Sequence, residues 1–238
     1  MTNFLALDRA LLRWINLGMG RPWLDPFFVF VTEFRHFVLP AAIGAILLAV
    51  YGGRRGRAVL AALALCVLMT DQVSSHLLKP WIHRIRPCNV EMGLRLPHGS
   101  RGTLSFPSGH ATNSAGAATV VALAYPSLAV PAILITAAAG LSRIYLGLHY
   151  PSDVLVGYFL GALLGWLSWR LLRRWAGDAD NGPYFGYLGR RAAKDPRDLL
   201  YSFQAMEFAL FALGPPEADD SYRKFSVGVF ISWKRSLL

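Results

Sequence analysis

Residues 111–142 contain no charged side chain, and this stretch constrains the fold more than any other feature of the chain. Extended to 107 and 146, it is about twice as long as the ~20 apolar residues with which one helix crosses a bilayer. The segment Tyr125-Pro126-Ser127 divides it in two. We therefore predict two membrane-spanning helices joined by a tight turn.

The rest of the chain has the same membrane character. Its 238 residues are 54% hydrophobic and only 16% charged, whereas an average soluble domain is about 25% charged. Apolar segments at 26–51, 58–78 and 154–169 bring the predicted spans to five. Gly157, Gly161 and Gly165, spaced four residues apart in the last span, predict close contact with another helix.

Residues 4–18 have the periodicity of an amphipathic helix, which either lies in the membrane interface or spans the membrane. Five apolar residues share one face: Phe4, Leu7, Leu11, Trp14 and Ile15. Arg9, Arg13 and Asn16 lie on the opposite face. The predicted fold is therefore an all-α, polytopic membrane bundle of five to six transmembrane helices, followed by a C-terminal extension.

The positive charge divides the chain into two regions. The formal net charge is +10, but residues 177–238 carry eight basic and eight acidic residues, so the excess lies in residues 1–176. We predict a membrane-embedded core at 1–176 and a tail of unassigned role at 177–238. Tail residues 195–213 have helix-start and helix-stop signals, and residues 225–233 alternate as in a strand. No long basic stripe with interleaved aromatics indicates a nucleic-acid partner.

Three polar clusters lie at the ends of the predicted spans. Lys79 and Arg86-Pro87 follow the second span, residues 107–110 (Pro-Ser-Gly-His) open the third, and Arg143, His149 and Asp153 connect the fourth to the fifth. Since each span reverses the chain across the bilayer, all three clusters are expected at one membrane face.

Three cations at one membrane face indicate an anionic ligand. Lys79, Arg86 and Arg143 repel one another unless an anion lies between them, and phosphate accepts hydrogen bonds from both Arg and Lys. Ser108 and Gly109 stand where a helix begins, so unpaired backbone N–H groups also face an anion. No CxxC motif or Cys/His cluster indicates a metal site, and no cofactor is expected.

Two histidines supply the groups for phosphoryl transfer. One imidazole can attack phosphorus while the other protonates the leaving oxygen. Asp153 lies four residues after His149, and a carboxylate bonded to one ring nitrogen leaves the other free to attack. We therefore predict His149 as the nucleophile, Asp153 as its orienting group and His110 as the general acid.

These three clusters, in their order and spacing, resemble the signature motifs of the type 2 phosphatidic acid phosphatase superfamily. The resemblance covers residues 26–175 and implies a six-helix core and metal-free hydrolysis of lipid phosphates. In that family, the residues matching His149, His110 and Asp153 are nucleophile, general acid and orienting carboxylate. The residues that hold the phosphate match five positions here: Lys79, Arg86, Ser108, Gly109 and Arg143.

The run from Asp71-Gln72 to His110 is similar to bacterial undecaprenyl-diphosphatases, which makes undecaprenyl diphosphate the expected substrate. Phosphatidate, phosphatidylglycerophosphate and lipid A phosphates remain open, as does the oligomeric state. Two other classes use a similar pocket: a vanadium haloperoxidase, because vanadate mimics pentavalent phosphorus, and a non-catalytic lipid-phosphate binder or transporter.

Basic residues also predict which side of the membrane the clusters face. Each side of the predicted bundle carries six Lys or Arg residues. If Lys79, Arg86 and Arg143 bind a ligand, three anchoring charges remain on their side against six on the other. The positive-inside rule then places the clusters on the extracytoplasmic side of a bacterial inner (plasma) membrane.

Overall fold

A computed structural model describes residues 2–100 and 102–176. The tail at 177–238, including the predicted helix at 195–213 and strand at 225–233, lies outside the described residues. Within the described residues the chain is helical and forms no strand, apart from one isolated bridge between Ile85 and Leu104. The all-α prediction is therefore confirmed.

Nine α-helices follow one another along the described chain. They are α1 Thr2–Arg13, α2 Asp25–Thr32, α3 Arg35–Tyr51, α4 Gly53–Asp71, α5 Lys79–Ile82, α6 Pro87–Val90, α7 Gly109–Ala124, α8 Ala129–Tyr145 and α9 Pro151–Leu172. A π-helical stretch, Gln72–Leu78, joins α4 to α5 without a break, so that one helical rod runs from residue 53 to residue 82.

Three helical segments of the described chain are long and apolar enough to cross a membrane: Gly53–Ile82, Pro126–Tyr145 and Pro151–Trp175. The predicted span at 26–51 is two helices, α2 and α3, bent by 48° where Glu33 adopts an extended conformation; counted as one span, this pair makes four. Helix α7 has 16 residues, about 24 Å, which is short for a bilayer core of about 30 Å. The predicted count of five to six spans is therefore not established.

Helices α7 and α9 pack against each other through the predicted glycine face. A Cβ on Gly157 would lie 2.9 Å from the backbone oxygen of Ser108, and Cβ atoms on Gly161 and Gly165 would overlap the backbone oxygens of Thr112 and Gly116. Only hydrogen in place of a side chain allows this approach. The close contact predicted from the four-residue spacing is confirmed, and it fixes the start of α7 beside the start of α9.

Helix α1 turns most of its predicted apolar face outward. Phe4, Leu7, Leu11 and Trp14 are 40–64% exposed, whereas Asp8, Leu12 and Asn16 are buried. Asn16, predicted to lie on the polar face opposite these apolar residues, hydrogen-bonds to the backbone of Arg95 and Tyr145. In a membrane protein the surroundings are apolar, so polar residues pack toward the protein and apolar ones toward lipid.

Candidate active site

Lys79 and Arg86 lie at the end of the long helical rod and in the loop after it. Lys79 is half-buried at the first position of α5, and Arg86 precedes α6. The Arg86 N–H donates to the Thr103 oxygen at 3.0 Å, and its Nε donates to the Leu104 oxygen at 3.1 Å. The first bond fixes the main chain at Arg86, and the second holds its guanidinium in place, which reduces the entropy it loses when it binds an anion.

The second cluster forms the N-terminus of α7. The N–H of Ser108 donates to the Asp153 oxygen at 3.0 Å, which ties α7 to α9. The Ser108 hydroxyl is buried and has no hydrogen-bond partner within residues 2–100 and 102–176. A Cβ built on Gly109 would lie 3.9 Å from Lys79 Nζ, so the ammonium group lies beside the helix start. Backbone donors and a cation therefore face the same point.

His110 follows on the first turn of α7. Its side chain is exposed, and its imidazole hydrogen-bonds to the backbone of Thr32 at the end of α2. Arg143, which is 5% exposed, donates from Nη1 to the Thr32 hydroxyl. The break between α2 and α3 thus supplies one residue, Thr32, that contacts two of the predicted site residues.

Arg143 also organises the backbone that carries His149. Its carbonyl oxygen accepts the N–H of Leu148 at 3.0 Å and the N–H of His149 at 3.2 Å. These bonds close the turn after α8, in which Gly147 has φ +70°, a conformation that favours glycine. His149 is 1% exposed and lies immediately before α9.

Asp153 lies beside His149, but it hydrogen-bonds elsewhere. The distance from His149 Nδ1 to Asp153 Oδ2 is 3.6 Å, longer than a hydrogen bond. Oδ2 accepts the N–H of Tyr150 at 2.9 Å as part of a capping box, and Oδ1 accepts from Arg84 Nη1 at 2.7 Å. Within the described part of the chain, Nδ1 has no hydrogen-bond partner. The predicted orienting bond is therefore a close electrostatic contact in this structure.

His149 is held in its neutral form. Its pKa is lowered from the ordinary 6.5 to about 4, mainly by burial; the charges of Arg143 and Arg86 add to this effect, and Asp153 opposes it. The imidazole is therefore unprotonated at neutral pH. With Nδ1 beside the carboxylate, Nε2 is the nitrogen whose lone pair is available to an electrophile.

The structure brings the three predicted clusters together. Lys79 lies within electrostatic range of Arg86 and Arg143, and His149 lies within range of both arginines and of His110. Three cations, a helix N-terminus and a neutral imidazole thus surround one position. Such a set can hold a phosphate group and attack it. Within the described chain, no group of three or more His, Cys, Asp or Glu residues is arranged to hold a metal ion.

Three further residues contact the site but were not predicted from the sequence. Asp8 and Arg84 contact the residues at the start of α9, and Thr32 contacts Arg143 and His110. A weak signal existed for Asp8: it is the only acidic residue in α1 and lies one helical turn from the buried Leu12. Arg84 lies two residues before Arg86 and resembles a headgroup anchor. Nothing local marks Thr32.

The helical fold, the apolar spans and this cation-lined site with its histidine define a membrane-embedded phosphatase. Residues 55–176 match the family model of the PAP2 superfamily, and the chain belongs to that superfamily. This family assignment makes the protein a phosphoric ester hydrolase that acts on membrane lipids. The resemblance found in the sequence is thereby confirmed.

The relatives of this chain carry different substrate names. Lipid A 4'-phosphatase of Bacteroides thetaiotaomicron is 32% identical over 176 residues, covering 70% of this chain and 78% of that protein. Undecaprenyl-diphosphatase of Sulfolobus acidocaldarius is 26% identical over 146 residues, covering 61% and 69%. A PAP2-type transmembrane phosphatidylglycerolphosphate phosphatase from Bacillus subtilis, solved by crystallography, has a TM-score of 0.57 at 28% identity, covering 73% of this chain and 88% of that one.

Proposed function

We propose that the protein hydrolyses a lipid-linked phosphate or diphosphate through a phosphohistidine on His149. The observation that carries this proposal is the neutral, buried imidazole of His149 among Lys79, Arg86 and Arg143. These cations, with Ser108 and Gly109 at the start of α7, bind the phosphate oxygens. The reaction uses no metal and no cofactor.

The proposed reaction has two steps. In the first, the Nε2 lone pair of His149 forms a bond to the terminal phosphorus, the bond from that phosphorus to the oxygen of the leaving lipid alcohol or lipid phosphate breaks, and the leaving group takes a proton from His110. In the second, water attacks phosphorus and gives a proton to His110, and the P–N bond breaks with its electrons returning to Nε2. Asp153 stabilises the positive imidazole between the two steps.

Undecaprenyl diphosphate is the proposed substrate. Its support is the sequence run from Asp71 to His110, together with a family whose members act on lipid phosphates. Lipid A phosphates and phosphatidylglycerophosphate are alternative substrates, because relatives are named for lipid A and for phosphatidylglycerolphosphate. Phosphatidate is a third alternative. In each case the lipid tail stays in the bilayer while the phosphate enters the site.

Phosphate release from a panel of purified lipids tests this proposal. Undecaprenyl diphosphate, phosphatidate, phosphatidylglycerophosphate and a lipid A phosphate are presented to the detergent-solubilised protein, and free phosphate is measured. We expect turnover that resists chelators and is highest on the diphosphate. If another lipid is turned over faster, the substrate proposal is wrong. If none of the four releases phosphate, the proposed reaction is wrong.

We also propose that the protein lies in a bacterial inner membrane with its site on the extracytoplasmic side. At the site end, Arg84 pairs with Asp8 and Asp153, and Arg95 pairs with Asp25. Arg84 and Arg95 therefore contact carboxylates of the protein rather than lipid headgroups, which leaves fewer anchoring cations at this end and supports placing the Arg54, Arg55 and Arg57 end in the cytoplasm. In a Cys88→Ser background, Gly99→Cys is expected to react with an impermeant maleimide in intact cells. Labelling only after lysis would contradict this orientation.

A further inference from the structure

Asp153 is held by Arg84, which was not among the predicted site residues. Its Oδ1 accepts from Arg84 Nη1 at 2.7 Å, and Arg84 Nη1 also lies 2.6 Å from the Ser152 hydroxyl. The Asp153 side chain is fully buried, at 0% exposure. A buried carboxylate needs a compensating partner, and Arg84 is the cation that bonds to it directly.

Arg84 is in turn held by Asp8 of α1. Arg84 Nη2 donates to Asp8 Oδ2 at 2.6 Å, and the guanidinium lies 3.9 Å from the centroid of the Tyr150 ring. Asp8 is 3% exposed and also accepts hydrogen bonds from the N–H and hydroxyl of Ser152, at 2.9 and 2.5 Å. The planar guanidinium is thus fixed between two carboxylates and an aromatic ring.

The net charge of the three linked side chains matches what the reaction requires. Asp8, Arg84 and Asp153 together carry a net charge of −1. Other charged or titratable groups that act on His149 are Arg86, Arg143 and His110, all of them basic. When Nε2 bonds to phosphorus, the imidazole becomes positive, and this net negative charge stabilises it. Without Asp8, Arg84 would cancel the charge of Asp153.

We infer that Arg84 and Asp8 are positioning residues for the nucleophile. Arg84 fixes the Asp153 carboxylate beside His149, and Asp8 fixes Arg84 and restores the net negative charge. The first helix is therefore part of the active site. This inference rests on the proposed function of His149, so its test includes a measurement that needs no turnover.

The first measurement compares two anions that bind among the same cations. Orthovanadate accepts a fifth ligand from the histidine nitrogen, as the transition state does, whereas inorganic phosphate binds through the cations alone. In Arg84→Gln and Asp8→Asn, we expect vanadate affinity to fall about 10-fold or more because the imidazole is misplaced. Phosphate affinity should stay within about threefold of wild type. Both are measured by calorimetry in detergent.

The second measurement is the pH dependence of kcat/KM, whose acidic limb reports protonation of His149. Arg84→Gln removes a positive charge, which raises the pKa of His149 and moves the limb to higher pH. Asp8→Asn removes a negative charge and moves it to lower pH. We expect kcat to fall about 10- to 100-fold in Arg84→Gln, with KM within about threefold. A loss of stability alone does not shift the limb in opposite directions.

Arg95→Gln is the matched control. Arg95 pairs with Asp25 at 2.7 Å and is 29% exposed, against 20% for Arg84, but it makes no hydrogen bond or ion pair to Asp153 in the described residues. We expect Arg95→Gln to lower the melting temperature while the vanadate-to-phosphate affinity ratio and the acidic limb stay as in wild type.

If Arg84→Gln yields no folded protein, Arg84→Lys replaces it. Lysine keeps the positive charge but cannot bridge both carboxylates, so in this variant only the vanadate affinity should fall.

Two results separate this inference from the proposed function. If the Arg84 and Asp8 variants keep the wild-type vanadate-to-phosphate ratio, the inference is wrong even if the protein is an active phosphatase. If wild type releases no phosphate from any lipid, the proposed function fails, and a lowered vanadate ratio in both variants still supports the positioning roles.

Discussion

Replacing His149 with alanine is expected to abolish phosphate release from the lipid substrate, while the variant still binds inorganic phosphate. The side chain is buried among the cations and is neutral because burial lowers its pKa to about 4. Removing a nucleophile costs on the order of 10⁴-fold in kcat, or about 5.5 kcal/mol of transition-state stabilisation. The measurement is phosphate release from the preferred lipid, with inorganic phosphate affinity from calorimetry alongside.

The control for this variant is His36→Ala. His36 is a half-buried histidine of α3 that stacks on Phe30, and the His36→Ala variant should keep kcat within about threefold of wild type. Phosphate affinity of His149→Ala should also stay within about threefold, since Lys79, Arg86 and Arg143 remain. Turnover close to that of wild type would contradict the phosphohistidine mechanism and favour a water molecule activated elsewhere.

Enlarging Gly161 is expected to destabilise the protein strongly. A Cβ at this position would overlap the Thr112 backbone oxygen and lie 2.9 Å from the Gly116 nitrogen, so that α7 and α9 must separate. Gly161→Ala should cost about 1–3 kcal/mol, the usual cost of overpacking, and lower the apparent melting temperature by several degrees. Gly161→Leu should give no monodisperse protein. Tryptophan fluorescence during heating in detergent measures both.

Gly44→Ala is the matched control for this substitution. Gly44 lies inside α3, where a Cβ would meet no atom within 4 Å. Alanine favours a helix over glycine by up to about 1 kcal/mol, so this variant should be as stable as wild type or slightly more stable. Equal melting temperatures for Gly161→Ala and wild type would show that α7 and α9 do not pack as described.

The activity of Gly161→Ala should also fall, because the start of α7 carries Ser108 and His110 while α9 carries Asp153.

The sequence predicted well those features that repeat along one helix or depend on chain reversal. The uncharged stretch at 111–142 and the glycines of the last span led to α7, α8, α9 and the α7–α9 contact. Alternating spans brought Lys79 and His149 to the same end of the bundle, although 70 positions separate them. These patterns carry such information because apolar periodicity marks a helix, and a helix that crosses the membrane carries the chain to the other side.

Helix α1 shows what such a pattern leaves open. The pattern predicted a helix in or across the membrane, and its apolar residues are exposed as that requires, but it did not show that Asp8 and Asn16 pack inside the protein. An apolar environment reverses the usual rule, because an uncompensated charge is more costly in lipid than beside an arginine. The bend between α2 and α3 was also missed, since Glu33 and Arg35 resemble ordinary polar interruptions of a span.

By itself, the sequence determined the chemical groups available to this protein: three cations, two histidines and a carboxylate at the ends of apolar segments. Only the tertiary structure decided how Asp153 is used. Its spacing from His149 predicted a hydrogen bond, yet Arg84 and the Tyr150 N–H lie closer to its oxygens. The physical reason is that partners for a buried charge are chosen by three-dimensional proximity and full hydrogen bonding, and Arg84 and Asp8 come from elements distant in sequence.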